Sequence, residues 1–298
     1  GLDLGAAQRT ITVNQVTMDG TAGGTVIAPT AAGLTISAIV SNAAGSIQKL
    51  GAGNLLLSGV NTFGAVRTIG FDLNAGGVIL GNAAGLGAGT LLISSSGTSV
   101  SASTALTATN QVIISSGVTS LTLGLAGSSA MTLSGNISWQ TLSGAARTIT
   151  VGGATGSTIN AQTLSGSIQM PSAGNQLIKQ GIGTLVLSGS GGGMDLVGSQ
   201  GVQVLAGILQ VANAASLGAQ PTAVVADNIV LNGGALAITT NSLSLGNRGI
   251  SLGSSGGAID VASGLVVGVT SPLSGSGGFV KTGAGQLTLS AANTVTGP

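Results

Sequence analysis

The chain has 298 residues, only 4% of them charged, with seven Lys and Arg set against six Asp for a net charge of +1. So sparse and even a balance leaves no charged surface to attract nucleic acid, anionic lipid or an acidic polymer, and argues against recognition by a charged face. Without His or Cys, the chain also lacks the usual general base, activated nucleophile, transition-metal ligands and disulfide framework.

Small residues fill the gap, including 54 Gly, yet Leu, Ile and Val recur in alternating order and supply enough apolar material for a core. No uninterrupted apolar run reaches the roughly 18 residues of a membrane-spanning helix. A membrane β-barrel needs aromatic girdles, and Phe63, Phe71, Trp139 and Phe279 are the only aromatic residues. Gly1 to Gly5 shows neither the basic start nor the apolar segment of a signal peptide.

In chain order, apolar residues at period two predict short strands at Thr10 to Val13, Leu34 to Ile36, Leu55 to Leu57, Val78 to Leu80, Leu91 to Ile93, Val112 to Ile114 and Leu121 to Leu123. Further strands are expected at Leu185 to Leu187, Val202 to Leu205, Ile229 to Leu231, Leu265 to Val267 and Leu287 to Leu289, separated by Gly, Asn and Ser. No amphipathic helix is found. The decapeptide KLGAGNLLLS from Lys49 returns as KQGIGTLVLS from Lys179 and KTGAGQLTLS from Lys281. Gly residues two and four positions after each Lys read as a turn feeding the strand. Upstream stand Arg9, Arg147 and Arg248, each with Ile two residues on, and they read as the same position in three copies of one unit.

Internal repetition favours a stack of coils over a sandwich or closed barrel, because each unit buries its apolar face against the next. The many small residues suit tight corners, and Tyr is absent where a sandwich core commonly uses large anchors. The expected fold is all-β, a β-solenoid of imperfect repeats forming one domain over residues 1–298. Its copies cover roughly 1–100, 139–231 and 240–298, the third truncated.

The pattern KxGxGxLxLSGxNT, present at Lys49 to Thr62 and nearly intact at Lys281 to Thr294, resembles the autotransporter-associated β-strand repeat of bacterial passenger proteins. The lead-ins LGNRGISLGSSGGAIDVASG from Leu245 and LDLGAAQRTITV from Leu2 are similar to that family's as well. The middle copy departs from the pattern, with Gly191 and Gly192 where the Asn-Thr pair stands. The resemblance implies a right-handed parallel β-helix, extracellular or held at the bacterial outer membrane, with a structural or adhesive role.

Glycoside hydrolysis needs two facing carboxylates, whereas Asp3, Asp19, Asp72, Asp195, Asp227 and Asp260 are scattered. Lys49, Lys179 and Lys281 recur with the repeat, so they are read as corner residues whose methylene stems cover apolar surface while the ammonium stays in water. Asp19 and Asp260 are placed to pair with Arg9 and Arg248, the middle copy offering only neutral Asn160. GGGMDLV from Gly191 approaches a calcium-binding nonapeptide but lacks the stacked Asp such a site requires, and Trp139 is read as filling a core gap. No catalytic, cofactor-binding or metal site is expected. The expected partners are other copies of the chain, by end-to-end or fibre assembly, and a surface or host ligand, with no nucleic acid and no membrane insertion. Two alternatives stand beside this reading: a carbohydrate-active β-helix enzyme, and a passive stalk presenting another domain.

Overall fold

Alternating aliphatic residues become strands here because each inward side chain is covered by its counterpart one coil above and below. A computed structural model describes residues 1–298 except 19, 21–23, 27–29, 141–145, 153–159, 171–173, 190–192, 195, 197, 241–243 and 298. Its residues group into two units, Gly1–Gln140 with Gly152–Asn160, and Thr141–Val151 with Ala161–Pro298. Each unit is a β-solenoid of stacked parallel strands. Among the described residues the helical content is one 3-10 turn at Ala214–Leu217, capped by the Asn213 side chain.

In the first unit one wall stacks Gln8–Thr12, Ser46–Leu50, Ile69–Leu73, Thr90–Ile93, Val112–Ile114 and Ile137–Trp139, all parallel. The second wall stacks Ala32–Ile36, Asn54–Leu57, Gly77–Leu80, Thr98–Ala102 and Ser120–Leu123. A shorter third side carries Leu2–Asp3 against Val40–Ser41, and Leu106–Ala108 against Met131–Leu133. In the second unit one wall runs through Ala146–Val151, Gln176–Gln180, Val202–Val204, Val225–Leu231, Arg248–Leu252, Leu273–Gly275 and Thr294–Val295. Another runs through Gln162–Leu164, Thr184–Leu187, Gly207–Val211, Gly234–Ile238, Gly257–Val261 and Phe279–Thr282. A coil spans 21 positions from Leu91 to its partner Val112, and 27 from Leu209 to Leu236.

The core is a set of aliphatic columns. Leu55 lies under Val78 and Val78 under Val100, while Leu57 lies under Leu80 and Leu80 under Ala102. In the second unit Leu187, Val211, Ile238 and Val261 form one such column, and Leu185, Leu209, Leu236, Ile259 and Lys281 form its neighbour. Most of these side chains are fully withdrawn from water, each aliphatic one contributing about 1.5–3 kcal/mol of apolar burial. Leu57 and Leu187 are both buried as expected, and Leu289 is half-buried.

The repeated glycines hold the coils in contact. Gly51, Gly181 and Gly283 have φ of 75°, 74° and 71°, a left-handed conformation open to glycine at no steric cost. A Cβ there would collide with the carbonyl of Val13, Val151 or Val261 in the coil below. Two residues on, the amides of Gly53, Gly183 and Gly285 donate to those same three carbonyls, at 2.8, 3.2 and 3.0 Å. This shared bond fixes which residues are equivalent in the three copies. Ile11, Ile149 and Ile259 lie beneath Lys49, Lys179 and Lys281. Arg9 and Arg147, two residues before the first two isoleucines, are therefore matched by Gly257, two residues before Ile259. Arg248 is not the third member of that set, because its strand lies under Leu273–Gly275, on another wall from Lys281.

Parity along Thr184–Leu187 yields a direct check. Leu187→Asp places an unpaired carboxylate in the column and is expected to destabilise by several kcal/mol, whereas Val186→Asp, on the opposite face, costs under about 1 kcal/mol. Comparing denaturant midpoints tests this; equal losses would mean that the strand faces are reversed.

Candidate functional site

Lys49 shares the parity of Ile47 on Ser46–Leu50, so alternation sends its side chain inward, into a column between Ile11 and Leu73. Lys179 stands likewise between Ile149 and Val204. Both are fully buried. Lys49 Nζ donates to the carbonyls of Leu50 (2.9 Å), Gly51 (2.6 Å) and Ala75 (2.9 Å). Lys179 Nζ repeats the arrangement on Gln180 (2.9 Å), Gly181 (2.7 Å) and Ala206 (3.0 Å). Each ammonium thus joins its own turn to the turn one coil above. The half-buried Lys281 makes the first two bonds, to Thr282 (2.8 Å) and Gly283 (2.6 Å). The expectation that the ammonium stays in water is overturned for Lys49 and Lys179, because the turn carbonyls offer three converging acceptors where a methylene stem offers none. Withdrawal from water pulls both lysines down from 10.5 to about 8. The carbonyl dipoles favour the protonated form, and both remain mainly charged at pH 7.

The asparagine of the repeat has a similar task. Asn61 Oδ1 accepts from the amide of Val40 (2.8 Å), while its Nδ2 donates to Gly85 O (2.7 Å), so one amide ties three successive coils. In the third copy Asn293 Oδ1 accepts from the Leu273 amide at 2.9 Å. Sequence reasoning recognised the Asn-Thr pair only as pattern. Asn110 donates to Gly87 O and Gly89 O, and Asn228 to Leu196 O and Gly198 O, each buried at a corner. Lys, Gly, Leu and Asn of the motif therefore all serve the stacking of coils.

The expected pairing of Arg248 with Asp260 does not form. The buried Arg248 guanidinium donates to the carbonyls of Leu217 (3.3 Å), Gly218 (2.8 Å) and Ala219 (2.8 Å), just after the 3-10 turn, and burial pushes its pKa down. Asp260 accepts instead from Thr282 Oγ1 at 2.8 Å. Arg9 Nε donates to Leu4 O at 2.6 Å, and Asp19 lies outside the described residues. Asp3 is held below the usual carboxylate range by the Gly5 amide and then by Asn42. Asp72 accepts from Gln48 Nε2 (3.2 Å) and from Ser94 Oγ, and Asp227 accepts from Ser199 Oγ. Among the described residues no three acidic side chains gather into a group that could hold a metal ion. Much of GGGMDLV, including Asp195, lies outside the described residues. Trp139 fills the core and donates from Nε1 to Val118 O at 2.8 Å. Asn160 donates to Ser128 O.

The described surface includes troughs in both units. In the second unit, one of about 640 Å³ is lined by glycines, serines and the outward side chains of Ile208, Ala235, Ala258 and Val280, without a charged group. In the first unit, one of about 480 Å³ follows four successive corners: Val66 and Arg67; Gly87, Ala88, Gly89 and Thr90; Thr109, Asn110 and Gln111; Gly135 and Asn136. Arg67 is the third residue of a turn closed by the Thr68 amide on Ala65 O at 3.0 Å and by Thr68 Oγ1 on the same carbonyl at 2.7 Å. Its φ is 68°, a conformation in which glycine is the ordinary choice and a side chain costs about 1 kcal/mol or more. The side chain is exposed, and among the described residues no hydrogen bond or ion pair engages it. Sequence reasoning passed over Arg67, since an arginine at such a position gives no turn signal and belongs to no repeat.

No protein-family model and no solved structure matches the chain. A stretch of 143 residues, 48% of the chain, is 36% identical to the adhesin BmaC autotransporter of Brucella suis biovar 1 (strain 1330), and the match spans 4% of that protein's length. This similarity and the β-solenoid together fit an autotransporter passenger repeat protein and support a surface adhesive or structural role.

The buried lysines have measurable consequences. Lys179→Met strands three carbonyls without a donor and is expected to cost about 2–4 kcal/mol, against about 1 kcal/mol or less for Lys281→Met. Denaturant midpoints of the two variants would show the difference. Because the folded-state pKa of Lys49 and Lys179 lies near 8, below the unfolded 10.5, the unfolded chain holds more protons between those values. Stability should therefore rise with pH across that window, where no His, Cys or Tyr competes. A rise undiminished in Lys49→Met and Lys179→Met would contradict the assignment.

Proposed function

We propose that the chain is part of the exported passenger of a bacterial autotransporter adhesin, displayed at the cell surface or released from it. It acts there as a structural and adhesive β-solenoid without catalysis, and it associates with further copies of itself. The observation that carries this reading is the 143-residue stretch shared with a protein named an autotransporter adhesin, in a chain whose repeat motif is spent on stacking coils. A sparsely charged, small-residue surface suits contact through hydroxyl and amide groups more than long-range charge steering. Self-association is supported by exposed apolar side chains such as Ile208, Val266 and Val280 and by a surface with few charges to keep copies apart.

Display of the chain on a non-adherent bacterium through a transport barrel should raise retention on epithelial cells or extracellular matrix above a barrel-only control. Equal retention on every surface would refute the adhesive role. The purified chain should release no reducing ends from a polysaccharide panel and should scatter light as oligomers at micromolar concentration. Sustained sugar release would restore the enzyme reading, and a strictly monomeric chain would remove self-association.

A further inference from the structure

We infer that the trough beside Arg67 is a binding site for an acidic saccharide, with the guanidinium taking the carboxylate or sulfate and the corner amides and hydroxyls taking sugar hydroxyls. This inference rests on the adhesive reading and names a ligand class for it.

The trough follows from the stacking itself. Gly87 has φ of 67° and no room for a Cβ against Phe63 O, and a Cβ on Gly135 would collide with Asn110 O. Gly64, Gly70 and Gly89 meet backbone to backbone, with Cβ positions on Gly64 and Gly70 falling 2.8–2.9 Å from a neighbouring glycine Cα. At these glycines the corners carry no side chain, and a channel runs across them. Its volume of about 480 Å³ falls in the range of small-ligand clefts, about 300–1,000 Å³.

Arg67 is the part that stacking does not explain. It occupies a left-handed turn position where glycine would fit without strain, and among the described residues it makes no hydrogen bond or ion pair in return. Strain held at an exposed, charged residue beside a cleft is a mark of function.

The lining selects the ligand. Thr109 and Gln111 are exposed in the trough and offer hydroxyl and amide groups, and no carboxylate lines it. Neither is there an aromatic platform, which disfavours flat apolar ligands and stacked bases. One cation can match one anionic group, so a polyphosphate would be left largely unneutralised. A ligand rich in hydroxyls with an acid group spaced along it fits, and a guanidinium fork suits a carboxylate or a sulfate in bidentate contact.

Calorimetric titration of the 298-residue chain with three probes tests the site: a glucuronate-containing oligosaccharide, a heparin-derived sulfated oligosaccharide and a neutral cello-oligosaccharide. At least one acidic probe should bind, more weakly as salt rises, and the neutral probe should bind at least about tenfold more weakly. The two acidic arms distinguish carboxylate from sulfate as the recognised group. Arg67→Gly relieves the turn, so its melting temperature should be unchanged or raised while its affinity for the acidic probe falls about tenfold or more. Arg67→Lys should retain part of the binding. No acidic binding, equal binding of the neutral probe, wild-type affinity in Arg67→Gly, or a lowered melting temperature in that variant would each overturn the proposal. Displaying Arg67→Gly on bacteria separates the two readings: adhesion retained at the wild-type level removes this site alone, whereas failure of the unmodified chain to adhere removes the adhesive role.

Discussion

Everything in this molecule depends on satisfying the backbone carbonyls where coils turn. Along the walls the parallel ladder does that automatically. At the corners the chain reverses too sharply for a ladder, and a carbonyl left bare inside the stack carries a desolvation cost of about 1–3 kcal/mol. The protein meets this by sending donors inward: the Lys49 and Lys179 ammonium groups, the Arg248 guanidinium and the amides of Asn61, Asn110 and Asn228. A buried charge without a counter-charge is normally expensive. Here three turn carbonyls converge on each ammonium, so a cation takes the role that water has at an exposed turn.

That arrangement also shapes the surface. Four of the seven basic residues, Lys49, Lys179, Arg147 and Arg248, are buried, and Asp72 is nearly so. What faces solvent is almost free of charge. The motif residues most easily mistaken for a catalytic constellation, a repeated lysine flanked by glycines, belong to the interior. Recognition therefore falls to whatever the corners leave outside, and Arg67 is the charged residue placed beside a cleft for no evident reason of stacking. The β-solenoid supplies the scaffold and the corners supply the variation, the usual division between a rigid frame and the loops it carries.

Much of the architecture was legible in the sequence. Strict alternation at Leu55 and Leu57, or Leu185 and Leu187, can satisfy only a strand with one face inward, and the thrice-repeated decapeptide called for stacking. The period-two reading also held the answer for Lys49, which shares the parity of Ile47, but a charged residue in a column of leucines contradicts the default that lysine heads stay in water. Propensity and pattern could not reveal the compensation, since the Ala75 and Ala206 carbonyls arrive from a coil about 26 residues further on.

By itself the sequence determined the class of structure, the inward face of most strands and the positions of the glycine turns, because these rest on local periodicity and on conformations that only glycine adopts freely. Register was decided by the tertiary structure. Whether Arg248 or Gly257 corresponds to Arg9 depends on which strands lie under one another, and coil lengths that vary from 20 residues between Val266 and Gln286 to 38 between Gln8 and Ser46 make a count along the chain an unreliable guide. The Arg67 trough is likewise a tertiary product: its walls come from corners more than twenty residues apart, brought together only when the coils stack.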